Sequence, residues 1–355
     1  MPITINVPDQ LRRQVEASSN GRNTVLYTAA GQPCFMYVLR HSDMAAVNSD
    51  LGISRHPAFI VGGVNKDELM IGQYLGSSRN SELISVPGVD PTTEITNDAA
   101  ISLARNNGAG WHLTTSVEFA ALALWCHKNG LMPRGNNDYG RDHATTVEAG
   151  RRQDGVTPGT ASGTARTLTG SGPTSWRHDN TPFGISDLNG NVWEWTPGVR
   201  VVAGEIQIIE NNDAALTATD LGAASASWMA IDGATGDLVS PGHANSVKYA
   251  SANSGTADYT LYRLTVNTFE GMQNSTGANP VSTAALNRLK ALALFPIAGS
   301  GLGGDGFYLN TSGERVSLRG GYWSSGSIAG VFALTLSAER SPSHTTVGAR
   351  PAFVI

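Results

Sequence analysis

The chain is poor in cysteine, in charge and in long apolar runs. Its two cysteines, Cys34 and Cys126, lie far apart. Two thiols exclude a disulfide framework and a four-cysteine metal site, so both are expected to be buried and free. Charged residues are only 15% of the chain and the net charge is −5, with no basic cluster beyond the pairs Arg12–Arg13 and Arg151–Arg152. Nucleic acid is therefore not expected as a partner, because that needs a basic stripe. No apolar run approaches the ~18 residues that cross a bilayer, so membrane insertion is not expected. The opening Met1–Asp9 lacks the basic and apolar regions of a secretory leader, which predicts cytoplasmic synthesis and leaves open release by another route, such as cell lysis or virion assembly. Asparagine is also missing from residues 311–355; every one lies at or before Asn310.

Glycine is abundant instead: 41 Gly and 16 Pro favour turns and short elements over long helices. A short N-terminal helix is predicted at 8–16, with Pro8 in its first turn. Short strands bounded by Gly, Asn or Asp come next at 24–28, 34–39, 58–61 and 68–74, then a helix at 98–105. The strongest helix signal is 116–128. Thr115 caps it, Glu118 three residues on completes a capping box, and Asn129-Gly130 stops it. Its face is apolar nearly all round (Val117, Phe119, Ala120, Leu122, Leu124, Trp125), which places it in the core. Residues 131–182 read as loop. Strands are predicted at 204–210, 227–231 and 259–265, a helix at 282–294 with Leu286, Leu289, Leu292 and Leu294 inward, and strands at 306–309, 315–318, 331–336 and 347–354. The pattern is α+β, two main helices among many short strands and long loops.

Two segments carry information about function. In Gly184–Trp195, the turn Asn189-Gly190-Asn191 runs into the strand Val192-Trp193-Glu194-Trp195. A carboxylate among aromatics is costly unless paired. Asn189, Glu194 and the carbonyls of Gly190 and Val192 would make an all-oxygen cage suited to Ca2+; the alternative is that Glu194 accepts hydrogen bonds and holds a loop. The second segment is the tail from Leu318 to Ile355. One interleaved set there is structural: Arg319, Gly320, Gly321, Trp323, Gly326, Gly330, Phe332, Leu334, Leu336, Arg340, Gly348, Arg350 and Pro351. The other is small or polar: Tyr322, Ser324, Ser325, Ser327, Ile328, Thr335, Ser337, Ala338, Ser343, His344, Thr345 and Thr346. Strand alternation sends Leu334 and Leu336 inward and Thr335 and Ser337 outward.

Gly184–Trp195 together with Arg319–Ala352 resembles the formylglycine-generating-enzyme (sulfatase-modifying-factor) family, whose fold is C-type-lectin-like. The shared features are Gly-Asn-x-Trp-Glu-Trp, then Arg-Gly-Gly-x-Trp, then Gly-x-Arg, and Gly110–Ala121 resembles the segment leading into the family's helix. The resemblance covers 23–355, with 1–22 as an N-terminal extension and about 199–300 as an insertion. It implies a fold and is silent on activity. The family's enzymes use a cysteine pair after Arg-Gly-Gly, and Tyr322–Arg350 contains none. The related sulfoxide synthases use His-x-x-x-His-x-Glu, a spacing missing among the eight histidines. The tail, about 319–352, is similar end to end to the variable proteins of diversity-generating retroelements, found in phage tail tips and on cell surfaces. Their Asn codons scatter by adenine changes into Tyr, Ser, Ile, Thr, Ala, His and Pro, the types present here; Glu339 departs from the small residue of that pattern. The resemblance implies a non-enzymatic display protein binding a host-surface protein or glycan through the twelve residues above, alongside other virion tail proteins. The alternative is a divergent metal-dependent oxygenase of the same fold.

Three further features are read as incidental. Gly299-Ser-Gly-Leu-Gly-Gly304 satisfies a dinucleotide-binding pattern, but the residues after Gly304 read as turn and strand rather than helix. The sequons at Asn274 and Asn310 mean little without secretion. His112, beside Trp111, reads as a hydrogen-bonded core histidine.

Overall fold

A computed structural model describes residues 9–250, 255–264 and 267–355. Pro8 and Thr265, placed in a helix and a strand by the sequence, lie outside these.

Helices start where a short polar side chain satisfies the first free N–H groups. Asp9 accepts from the Arg12 N–H at 2.9 Å and opens α1, Gln10–Ser18. The short α2, Ala45–Leu51, ends at left-handed Gly52. Thr96 caps α3, Asn97–Arg105. For α4, Ser116–Asn129, the capping box is reciprocal: the Glu118 N–H donates to Thr115 Oγ1 at 3.3 Å, and the Thr115 N–H to Glu118 Oε2 at 2.9 Å. Ser282 caps α5, Thr283–Ala291. The described residues therefore hold five helices rather than two main ones, and only α4 exceeds nine residues. As its sequence requires, α4 is buried on nearly every side, with Trp125 half-covered.

Two sheets surround α4. The smaller has the order Asn23–Tyr27, Pro33–Arg40, Glu68–Gly72, Pro351–Phe353, Trp111–Leu113, all antiparallel. The larger has eleven strands centred on Trp193–Val202, which lies between Glu205–Ile209 and Glu314–Gly320; the latter pairs in turn with Gly330–Ala338, and Phe307–Leu309 closes that edge. One α+β body results.

The structure corrects the sequence reading in several places. The strand expected at 58–61 is a 3-10 turn, Pro57–Phe59, followed by Ile60–Val61. The hairpin Gly76–Arg79/Glu82–Ser85 and α2 had no signal in the sequence. The strand expected at 347–354 is two strands in different sheets: Val347–Gly348 lies parallel to Trp193–Glu194, while Pro351–Phe353 joins the smaller sheet. The break is at Arg350, whose side chain turns fully inward. Residues 199–300, expected as an insertion, pack into the main core. Val201, Ile206, Tyr249, Leu261, Phe269, Leu289 and Leu294 share one core with Phe119, Leu122, Phe332 and Leu334. The N-terminal α1 docks on the first strand, with Arg12 Nε donating to the Val25 carbonyl at 2.7 Å and Thr24 Oγ1 to Glu16 Oε1 at 2.7 Å.

Candidate functional site

Two arginines of the tail fix the ground under the site. Arg350 Nε and Nη2 grip both oxygens of Glu194, at 2.9 and 2.7 Å, and its remaining donors reach the carbonyls of Gly72 and Ser186 at 2.9 Å each. Such a fork-to-fork pair is the strong form of a charge-assisted hydrogen bond. Burial pushes the Glu194 carboxyl up, against the downward pull of Arg350. Arg319 has no carboxylate. Its Nη2 donates to the carbonyls of Leu292 and Ala293 at the end of α5, at 3.1 and 3.2 Å, a favourable place for a cation. Burial pushes its guanidinium down to about 10.

These contacts overturn the oxygen cage proposed for Ca2+. Glu194 has both oxygens engaged by Arg350. Asn189 is used elsewhere: its Oδ1 accepts from Asn137 Nδ2 at 3.2 Å and its Nδ2 donates to the Pro133 carbonyl at 2.9 Å. Gly190 donates its N–H to the Gly320 carbonyl at 2.9 Å, and Val192 packs with Leu75, Ala165 and Trp323. Glu194 alternates with Trp193 and Trp195 along the strand and so faces away from them, where Arg350 is the available cation. Hydrogen bonding rather than metal ligation is its role, with a side-chain donor. Among the described residues, no three His, Cys, Asp or Glu come together to hold a metal ion.

The Asn189-Gly190-Asn191 turn clamps the loop 131–182 to the tail. Gly190 has φ 75°, and a Cβ there would sit 2.1 Å from the Asn136 carbonyl oxygen, so only glycine fits. Asn191, also left-handed at φ 62°, accepts from the Thr167 N–H at 2.9 Å and returns a bond to the Thr167 carbonyl at 3.1 Å. Its own carbonyl accepts from the Trp323 N–H at 3.2 Å, and the Trp323 carbonyl accepts from the Tyr139 N–H at 2.6 Å. Beyond the tail strand, residues outside the tail hold its backbone. The carbonyls of Arg340, His344, Thr345 and Thr346 accept from the N–H of Asn97, the N–H of Glu94, Arg166 Nη1 and the N–H of Trp193. None of these bonds depends on which side chain the tail carries.

On this frame lies an open cleft of about 430 Å³. Nine of the twelve residues singled out in the tail line it: Tyr322, Ser324, Ser325, Ile328, Thr335, Ser337, Ala338, His344 and Thr346. Ser327, Ser343 and Thr345 are exposed but do not line it. Thr335 departs from the outward position expected of it. It is 6% exposed and forms the cleft floor, its hydroxyl 2.7 Å from that of Ser337, because Phe307–Leu309 pairs alongside and covers it. Ser325 has a structural duty as well, accepting the Tyr322 N–H at 3.0 Å. Leu334 and Leu336 are fully buried, as alternation requires.

Four residues of the cleft escaped the sequence reading: Trp193, Tyr308, Leu318 and Val347. Trp193 and Tyr308 are half-buried and meet edge to face at 6.4 Å and 84°. Burial, reinforced by neighbouring Tyr322, pushes the Tyr308 phenol up. Alternation from buried Phe307 was a usable signal for Tyr308; nothing in the sequence tied it to Trp193. A second cleft, about 420 Å³, opens between α2, α5 and the strand Glu205–Ile209, with Leu51, Arg55, Ile208 and Arg288 on its walls. Its residues come from separate stretches of chain, so no motif announced it.

The remaining candidates are structural. His112 is buried, with Nε2 2.9 Å from Glu118 Oε1, as expected of a core histidine. Cys34 and Cys126 are buried and free, and burial pushes the Cys34 thiol up to about 12. Gly299–Gly304 leads through Asp305 into the strand Phe307–Leu309, not into a helix. Glu339, the departure from the tail pattern, pairs with Arg315 at 2.6 Å. Among the described residues, no helix is long and apolar enough to cross a membrane. No protein-family model matches the chain, and no curated protein matches it with significance.

Proposed function

We propose that this chain is a non-enzymatic ligand-binding protein that displays a hypervariable C-terminal surface, with a C-type-lectin-like fold of the formylglycine-generating-enzyme type. In this reading it is a variable protein of a diversity-generating retroelement, carried on a phage tail or other virion part, or on a cell surface. It recognises a host-surface molecule. One observation carries the reading: nine of the twelve tail positions share one open cleft, while most of the framework residues interleaved with them are buried. Much of the tail backbone is held by partners outside the tail, so most of the twelve side chains, Ser325 excepted, can change without loss of the frame. Exposed substitutions of this kind cost within about ±0.5 kcal/mol, and a stiff frame limits the entropy lost on binding. A mix of Tyr, His, Ser and Thr also suits adaptable contacts of the paratope type.

Sequencing many copies of the source locus tests this. Codons at the twelve tail positions are expected to vary while 1–318 stay constant, with a near-identical repeat beside a reverse-transcriptase gene differing only at adenines. A tail as constant as the rest of the chain would end the proposal. Tightly bound iron or copper in the purified protein would instead favour the oxygenase reading.

A further inference from the structure

The cleft is only partly made of tail. Trp193 and Tyr308 lie outside 319–352, yet they form one wall of it. No Asp, Glu, Lys or Arg is among the residues that line it. Its polar groups are hydroxyls, one indole N–H and one imidazole. Among the described residues, none makes a hydrogen bond to the Trp193 indole N–H, the Tyr308 and Tyr322 phenols, or the hydroxyls of Ser324 and Thr346. These groups are left for water or a ligand.

We infer that the Trp193–Tyr308 pair is a constant stacking platform and that the cleft takes a neutral sugar unit of a surface glycan. This rests on the cleft being the recognition surface proposed above. Three physical arguments lead to it. A charged ligand would give up hydration without meeting a carboxylate, lysine or arginine on the lining, Arg263 standing behind Tyr308, and that is costly. A protein partner of ordinary affinity needs roughly 800 Å² on each side, whereas a shallow cleft of about 430 Å³ falls in the size range of small-ligand sites. A pyranose has an apolar C–H face to lie on an aromatic ring and a rim of hydroxyls to meet serine, threonine and tyrosine. The labour is thereby divided. The two fixed aromatics hold any sugar ring, and the changing tail selects which hydroxyl arrangement is accepted.

The experiment is binding of the full chain to immobilised neutral oligosaccharides of glucose, galactose, mannose and N-acetylglucosamine, with sialylated, sulfated and glucosamine-based ones alongside, in low and high sodium chloride. Binding to at least one neutral glycan is expected, unchanged by salt. Trp193→Ala and Tyr308→Ala are each expected to weaken it at least tenfold, and Trp193→Phe and Tyr308→Phe by less than threefold. Asn287→Ala, in the second cleft, is expected to leave it unchanged. Circular dichroism guards against misfolding, and because either alanine variant alone suffices, failure of one to fold leaves the other. Retention of charged glycans only, with release by salt, overturns the inference. So does binding to none, or undiminished binding by a folded alanine variant. If tail codons vary at the locus but no glycan binds, the display reading stands and only the sugar is wrong. If glycan binds but the codons do not vary, the display reading falls alone.

Discussion

Arg350 and Glu194 illustrate what a single residue decides. Each is buried and each neutralises the other, so Arg350→Met should cost about 3–5 kcal/mol by stranding a carboxylate. The double variant Arg350→Met with Glu194→Leu should recover much of that in urea denaturation. If the double variant is no better than the single one, the pair is not the cause. Asp305 offers a pH readout. Its buried carboxylate accepts the Phe332 N–H at 2.7 Å, at the start of the tail strand, and burial raises it well above the ordinary 3.8. A carboxyl raised on folding contributes stability that is complete below its ordinary value and is lost as pH rises through the folded one. The stability of the parent chain relative to Asp305→Asn should therefore fall as pH rises above about 4. A flat difference from there upward would show that Asp305 titrates as it does unfolded.

At the scale of elements, the tail strand Gly330–Ala338 separates two classes of position on adjacent residues. Leu336→Ala should cost about 2–5 kcal/mol, the usual range for a cavity in a packed core. Ser337→Asn, exposed at the cleft, should stay within about 0.5 kcal/mol. Equal costs in chemical denaturation would mean that the strand has no tolerant face. Helix α4 depends on its cap: Thr115→Ala should cost about 1–2 kcal/mol in the same assay, at the upper end because Thr115 Oγ1 also donates to Asn212 Oδ1 at 2.7 Å. Much of this was readable beforehand. The capping box, Gly130 and the alternation at Leu334 and Leu336 are local patterns, and local patterns fix local structure. The hairpin Gly76–Arg79/Glu82–Ser85 was not read, because its strands are only four residues long and partly polar, too short to show a clear alternation.

For the whole molecule, residues 199–300 share one core with α4 and the tail strand. Calorimetry should accordingly give a single main unfolding transition. Two well-separated transitions would mark 199–300 as a unit of its own. The end of the chain shows the same integration: within seven residues it joins both sheets, at Val347–Gly348 and at Pro351–Phe353.

The sequence alone determined much of the tail framework, since glycine, arginine and tryptophan at fixed intervals meet local steric and hydrogen-bonding demands. It also determined α4, its cap and its burial. Only the tertiary structure decided that Glu194 faces Arg350, that the last strand breaks at Arg350, and that Trp193 and Tyr308 stand beside the tail. Glu194 meets Arg350, and Trp193 meets Tyr308, across more than 100 residues of chain, and no local periodicity encodes such a meeting.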